Sequence, residues 1–268
     1  MHVHFLDPYR PGRSPVHQLD ARLKLVLTLA FILTVALTPV GAWPVYVLLL
    51  SLLLAVEVLS ELGLGFYLKR AMLALPFVLA ALPVIFTLPG SELFGLKVGS
   101  LTLAVSLTGL ERFVSIALKS WISVQAAVLL ASCTDFPDLL SAMRAVHFPR
   151  LLVSIFSLMW RYLFVLVDEA LRLMRARQSR STISDHPGLK HGGSLGWRAR
   201  VTGGLAGSLF LRAFERSDRI YMAMVARGYD GEVRSRPIRG LSASDRLILI
   251  ASLALLLLLL LFAGLFWA

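Results

Sequence analysis

Three long stretches of this chain contain no charged residue, and they limit the folds open to it. Residues 25–56, 71–91 and 247–267 are free of Asp, Glu, Lys and Arg. A membrane-spanning helix needs about 20 apolar residues, so the second and third stretches each match one span. The first is too long for one span, and prolines at 39 and 44 divide it into a helical hairpin. Because 57% of the residues are hydrophobic and 16% are charged, we predict an integral membrane protein rather than a soluble domain.

A further apolar helix is predicted before residue 134. Thr108-Gly109-Leu110-Glu111 has the capping-box pattern, in which a hydroxyl and a carboxylate bind free amide groups at a helix start, and this helix should run to about Cys133. Residues 98–110 leave open a sixth span or a re-entrant segment. The predicted fold class is all-α, a polytopic integral membrane protein with about five transmembrane helices. Four of these lie in residues 25–134 and the fifth lies in residues 246–268.

The distribution of basic residues predicts the orientation in the membrane. Cytoplasmic segments carry an excess of Lys and Arg. Residues 1–24 contain four such residues, and residues 135–245 contain 17 Lys plus Arg against 10 Asp plus Glu. We therefore predict that both segments are cytoplasmic and that, with an odd number of spans, the C-terminus lies outside. This asymmetry accounts for most of the net charge of +11, so the charge favours contact with membrane lipid and does not indicate nucleic acid as a partner.

Residues 135–245 are predicted to form a cytoplasmic module of three helices, at about 136–147, 149–178 and 200–228, with a Gly-rich linker over 181–197. The two long helices end in related triplets. These are Ala176-Arg177-Gln178 and Ala226-Arg227-Gly228, and Gly228 suits a left-handed helix end. Ion pairs at helical spacing are expected between Asp168 or Glu169 and Arg172, and between Glu215 and Arg219.

The two arginine tips have alternative explanations. An arginine at a helix C-terminus complements the helix dipole and bonds to free carbonyl groups. A matched pair of tips also suits insertion into grooves of a partner protein, where the guanidinium group finds carboxylates or carbonyls. The residues alone leave both explanations open.

Several features argue against an enzyme or a metal centre. The predicted spans contain no His and no Asp, and the chain has no H-E-x-x-H motif, no G-x-S-x-G motif and no G-x-x-x-x-G-K-[ST] phosphate loop. An intramembrane hydrolase is therefore the least favoured function. His2 and His4 are candidate metal ligands near the N-terminus, but a tail without metal is the favoured explanation.

The chain resembles the T component of energy-coupling-factor transporters, the membrane scaffold of a class of ABC-type importers, and within it the CbiQ-like cobalt branch. The resemblance covers essentially the whole chain in order and spacing. It is carried by residues 14–22 (SPVHQLDAR), 136–140 (FPDLL), 161–164 (RYLF), 168–170 (DEA), 215–219 (ERSDR) and 226–231 (ARGYDG).

The resemblance implies the partners and the roles of several residues. The two triplets would dock into two ATP-binding cassette ATPase subunits, which would hold ATP and Mg and carry out hydrolysis. A substrate-binding membrane protein, the S component (CbiM-like), would bind the apolar sides of the same helices. This chain would lie in a prokaryotic plasma membrane. It would bind no cofactor and catalyse no reaction. The supporting residues of the module would be Asp168, Glu169, Glu215, Arg219 and Tyr229.

The resemblance implies Co(II) as the cargo of the complex, with nickel or a vitamin as alternatives, and no residue of this chain selects among them. This sequence departs from the family pattern at Gln178, where the family has Gly. Because Gln adopts the left-handed conformation less readily than Gly, we expect the first long helix to continue past this position.

Overall fold

The computed structural model describes residues 8–87, 92–98, 101–180, 194–231 and 240–267. Most of these residues are helical. In chain order the helices are α1 (Pro15–Gln18), α2 (Ala21–Leu37), α3 (Trp43–Leu59), α4 (Leu64–Ala71), α5 (Leu75–Ala80), α6 (Val84–Thr87), α7 (Leu107–Cys133), α8 (Phe136–Ala145), α9 (Arg150–Ser179), α10 (Leu195–Val225) and α11 (Ala243–Trp267), with a 3-10 turn at Met72–Ala74. Two antiparallel strands, β1 (Glu92–Val98) and β2 (Leu101–Ser106), lie between α6 and α7.

Length and composition identify the helices that can cross a membrane. Four segments of the described chain qualify: Leu64–Thr87, Leu107–Cys133, Arg150–Ser179 and Ala243–Trp267, with Trp43–Leu59 as a shorter apolar helix. Helices α2 and α3 have 17 residues each and extend about 25 Å at 1.5 Å per residue. These findings confirm an all-α polytopic membrane protein. The assignment of α9 to a cytoplasmic module stays a prediction.

The segment before α7 differs from the sequence predictions. The described part of this segment, residues 98 and 101–110, contains neither a sixth span nor a re-entrant helix, because β1 pairs with β2 and α7 begins at Leu107. The predicted capping box is also wrong. Ser106 is the N-cap, and its hydroxyl accepts a hydrogen bond from the amide of Gly109 at 3.0 Å. Since the helix starts before Thr108, that residue lies inside the first turn.

The helices divide into two compact units, which are described separately. The first unit contains α1–α8, the hairpin and α11. Within it α2 contacts α7, α8 and α11, and α7 also contacts α3 and α4. Its core is apolar, with Val35, Val45, Leu49 and Ile122 fully buried.

Polar contacts attach the N-terminal segment of this unit to the end of α7. The amide of Arg10 donates to the carbonyl of Ser132 at 3.0 Å. The Lys24 ammonium donates to the carbonyl of Cys133 at 2.8 Å. These bonds satisfy carbonyl groups that a helix C-terminus leaves free, so the N-terminal segment and the end of α7 stabilise each other.

The second unit contains α9 and α10. The two helices contact each other, yet in α9 the buried residue is Ser154, and no described residue of α10 is buried. Helix α10 begins at Leu195 rather than at the predicted residue 200, because Ser194 caps it and accepts from the amide of Trp197 at 3.2 Å. The predicted linker to residue 197 is therefore too long. Most of the stability of a helix in a protein comes from packing of its apolar face. Helices as long and as exposed as α9 and α10 therefore indicate that further apolar surface is covered by a partner or by lipid.

Candidate functional site at the tips of the two long helices

Helix α10 ends in a Schellman motif that fixes the backbone of the second triplet. Gly228 has φ +79°, which confirms the predicted left-handed end. Its amide donates to the carbonyl of Val225 at 2.9 Å, and the amide of Tyr229 donates to the carbonyl of Met224 at 3.0 Å. These are the two backbone bonds that define the motif. The backbone at Arg227 is therefore fixed by hydrogen bonds at the end of the helix.

The side chain of Arg227 is exposed, and it makes no hydrogen bond, ion pair or ring contact with any residue that the structure describes. An arginine that only capped its own helix would bond to the last carbonyl groups. In this chain the carbonyls of Met224 and Val225 are already bonded to backbone amides. The guanidinium group is thus available to a partner.

Helix α9 ends differently. It continues through Gln178 to Ser179, as expected from the Gln, and Arg180 caps it in a right-handed conformation with φ −93°. The Arg180 amide donates to the carbonyl of Arg177 at 3.1 Å. Arg177 consequently lies within the last helical turn rather than at a left-handed stop. The two triplets therefore present their arginines on different backbone geometries.

Arg177 also contacts the beginning of α10. Its guanidinium carbon lies 5.8 Å from the ring centroid of Trp197, within the range of a cation–π interaction. One guanidinium nitrogen donates to the hydroxyl of Thr202 at 3.4 Å. Sequence reasoning missed both partners, because Trp197 was assigned to a linker and nothing in the sequence pairs positions 20 or more residues apart.

Glu169 joins the two helices. Its carboxylate accepts from Arg212 at 2.6 Å and lies 3.8 Å from Arg172 of its own helix. The predicted i,i+3 pair is therefore present, and the interhelical pair with Arg212 was missed. The predicted i,i+4 pairs are wrong: among the described residues, neither Asp168 with Arg172 nor Glu215 with Arg219 forms an ion pair. Arg172 turns towards Glu169, the carboxylate already held by Arg212.

Large apolar side chains cover the outside of α10. The exposed fractions are 68% for Phe210, 60% for Phe214, 58% for Tyr221 and 69% for Met222. An apolar groove of about 340 Å³ lies between α9 and α10, lined by Ile155, Leu158, Met159, Tyr162, Leu166, Ala213, Arg216, Ser217 and Ile220. Contiguous exposed apolar surface of this kind marks contact with a partner or a membrane.

The remaining predicted site residues are Tyr229 and the candidate metal ligands His2 and His4. Tyr229 is half-buried and acts through its backbone amide in the Schellman motif. His2 and His4 lie outside the described residues. Across the ranges that the structure describes, no three His, Cys, Asp or Glu side chains are grouped as a metal site.

Comparison with known proteins places these features in context. The model of the family described as "CbiQ: Cobalt transport protein" matches residues 12–238. The cobalt transport protein CbiQ of Salmonella typhimurium is 29% identical over 78% of this chain and 90% of that protein. The energy-coupling factor transporter transmembrane protein EcfT of Listeria innocua is 28% identical over 84% of each chain. A putative fused cobalt transport protein CbiMQ of Methanocorpusculum labreanum is 24% identical over 85% of this chain and 37% of that protein.

Proposed function

Since the chain belongs to the CbiQ family of cobalt transport proteins, we propose that α9 and α10 connect two ATPase subunits to a substrate-binding membrane protein. The chain is a multi-pass membrane protein and an energy-coupling subunit of a transporter, not an enzyme. In the proposed complex, ATP and Mg are bound by the ATPase partners. This chain transmits their motion, and residues 1–24 and 135–245 face the cytoplasm.

The free guanidinium group of Arg227 is the observation that carries this proposal. Arg227 is exposed and lacks a side-chain partner among the described residues, and its backbone is fixed by the motif around Gly228. A helix end with a fixed backbone loses little backbone entropy when its side chain inserts into a partner groove. The end of α10 therefore suits a contact that must transmit force, and Arg177 at the end of α9 is the proposed second contact.

The exposed apolar surface of α10 supports the proposed contact with an S component. Phe210 and Phe214 lie one helical turn apart, and Tyr221 and Met222 follow two turns later. Aromatic and methionine side chains are enriched at protein interfaces. The relative named as a fused CbiMQ protein supports a CbiM-like protein as the partner.

Co(II) is the proposed cargo, because the family and two relatives are named for cobalt transport. The relative named EcfT carries no cargo in its name, so nickel and vitamins belong in the same test. Uptake of labelled cobalt, nickel and a panel of vitamins by cells carrying the complete complex distinguishes these cargoes. We expect the cells to take up labelled cobalt, and we expect this uptake to require the chain.

The coupling role is tested by reversing the charge of each tip. We expect Arg227→Glu and the double variant with Arg177→Glu to stay in the membrane while losing co-purifying ATPases and uptake together. Arg13→Glu is the matched control, since Arg13 is an exposed arginine of the first unit, outside α9 and α10. If the double variant keeps both the ATPases and uptake, the arginines are helix caps and the proposal fails.

A further inference from the structure

Two arginines of the first unit lie against the same aromatic ring. The guanidinium carbon of Arg10 is 4.2 Å from the ring centroid of Phe66, and that of Arg70 is 4.5 Å from it. Arg10 belongs to the segment before α1, whereas Phe66 and Arg70 belong to α4. The two guanidinium groups are therefore at most about 9 Å apart, close enough to repel each other in a medium less polar than water.

No carboxylate of the described chain forms an ion pair with either guanidinium group. Phe66 holds both arginines by cation–π contact, but the ring does not neutralise their charge. Two guanidinium groups at most about 9 Å apart are close enough for one phosphate group to accept hydrogen bonds from both. Arginine pairs of this kind bind phosphate groups through parallel N–H···O bonds.

The backbone of Arg10 is held from both sides, so its position does not depend on the ring alone. Its amide donates to the carbonyl of Ser132 at 3.0 Å, and its carbonyl lies 3.0 Å from Nε2 of His17. A carbonyl accepts only, so Nε2 carries the proton. Nδ1 lies 2.6 Å from the Ser14 hydroxyl. The imidazole thereby connects Ser14 to Arg10 and fixes the segment that places Arg10 over α4.

The surroundings of the pair are those of a membrane interface. On α4, Leu64 and Leu68 are 41% and 48% exposed, and Lys69 is exposed beside Arg70. Helix α4 begins the segment Leu64–Thr87, which can cross a membrane, and basic side chains at the end of a spanning helix extend to the level of the lipid headgroups. Arg13 adds an exposed charge near Arg10.

We propose that Arg10 and Arg70, aligned on Phe66, form a binding site for one phosphate group at the membrane interface. The phosphate is supplied either by an anionic lipid headgroup or by a free phosphate ion. This site lies in the first unit and is independent of the proposed coupling role of α9 and α10.

Native mass spectrometry of the full-length chain in neutral detergent tests the site. Titration with phosphatidylglycerol should give one saturable adduct, and phosphatidylcholine should not compete for it. We expect Arg10→Gln/Arg70→Gln to weaken this adduct about tenfold or more, as for the loss of charge-assisted hydrogen bonds. The control Arg13→Gln/Lys69→Gln removes the same charge from the same surface and, as for exposed charge pairs, should weaken binding by less than about fivefold.

Two further variants separate charge from geometry. Phe66→Leu keeps both charges and should weaken the adduct about threefold, the value of an exposed cation–π contact. Arg10→Lys/Arg70→Lys keeps the charge without the planar fork, and its binding should lie between those of wild type and the Gln pair. It also serves as the test if the Gln pair does not fold.

A parallel titration with inorganic phosphate identifies the source of the ligand. Displacement of phosphatidylglycerol by millimolar phosphate shows a site for free phosphate, and a lack of displacement shows a headgroup site. Either result supports the proposal, provided that the binding is weakened when Arg10 and Arg70 are replaced. Equal losses in the two double Gln variants, or no saturable adduct in the wild type, overturn it.

Discussion

Gly228→Ala tests how much the rigid end of α10 contributes to coupling. Gly228 has φ +79°, and a residue with a Cβ pays about 1–2 kcal/mol to adopt the left-handed conformation. That cost shifts the balance between the capped and frayed helix end by a factor of about 5–30. Apparent affinity falls with the fraction of chains that have the competent end, so we expect binding to the ATPase subunits to weaken by up to that factor.

The assay has two readouts. Affinity for the purified ATPase pair is measured in lipid nanodiscs, and amide hydrogen exchange is followed at Tyr229, whose amide bonds to the carbonyl of Met224. In the Ala variant this amide should exchange faster because the Schellman bond is lost for part of the time. The two readouts should change together.

Two variants control for helix propensity. Gly204→Ala makes the same chemical change inside α10, where a Cβ meets no atom within 4 Å, and should stabilise the helix by about 0.5–1 kcal/mol. Gly228→Asn should retain most of the binding, because Asn tolerates the left-handed conformation. If Gly228→Ala binds the ATPases like the wild type while the Tyr229 amide exchanges faster, the capped helix end is not what positions Arg227.

Three further predictions concern other side chains. Both carboxylate oxygens of Glu57 are buried and have no partner among the described residues, so Glu57→Gln should raise the Tm of the purified chain, and a lower Tm would contradict this. A double-mutant cycle of Glu169→Gln with Arg212→Gln should give a thermal-stability coupling of about 0.5 kcal/mol, because Arg212 is solvent-exposed; no coupling would show that the contact is not populated. Trp197→Ala removes one contact that orients Arg177 and should weaken ATPase binding about threefold. Tighter binding would instead show that this contact must break on docking.

The features that sequence reasoning predicted correctly are local ones. A charge-free run predicts a helix surrounded by lipid, and Gly228 predicts the left-handed conformation of a single residue. Both predictions depend only on residues that are adjacent in the sequence. The hairpin of β1 and β2 was missed because short apolar runs do not separate strand from helix. The contacts Arg177–Trp197 and Glu169–Arg212 were missed because they join positions far apart in the chain, and a single sequence carries no record of such pairs.

The two arginine tips are not equivalent, and α10 contributes to both. At its C-terminus the Schellman motif around Gly228 fixes Arg227 through backbone bonds alone. Near its N-terminus, Trp197 and Thr202 contact the side chain of Arg177. Since Gln178 gives α9 no left-handed stop, these side-chain contacts do for Arg177 what the backbone does for Arg227. Under the proposed function, a movement of α10 therefore reaches one ATPase contact directly and the other through α9.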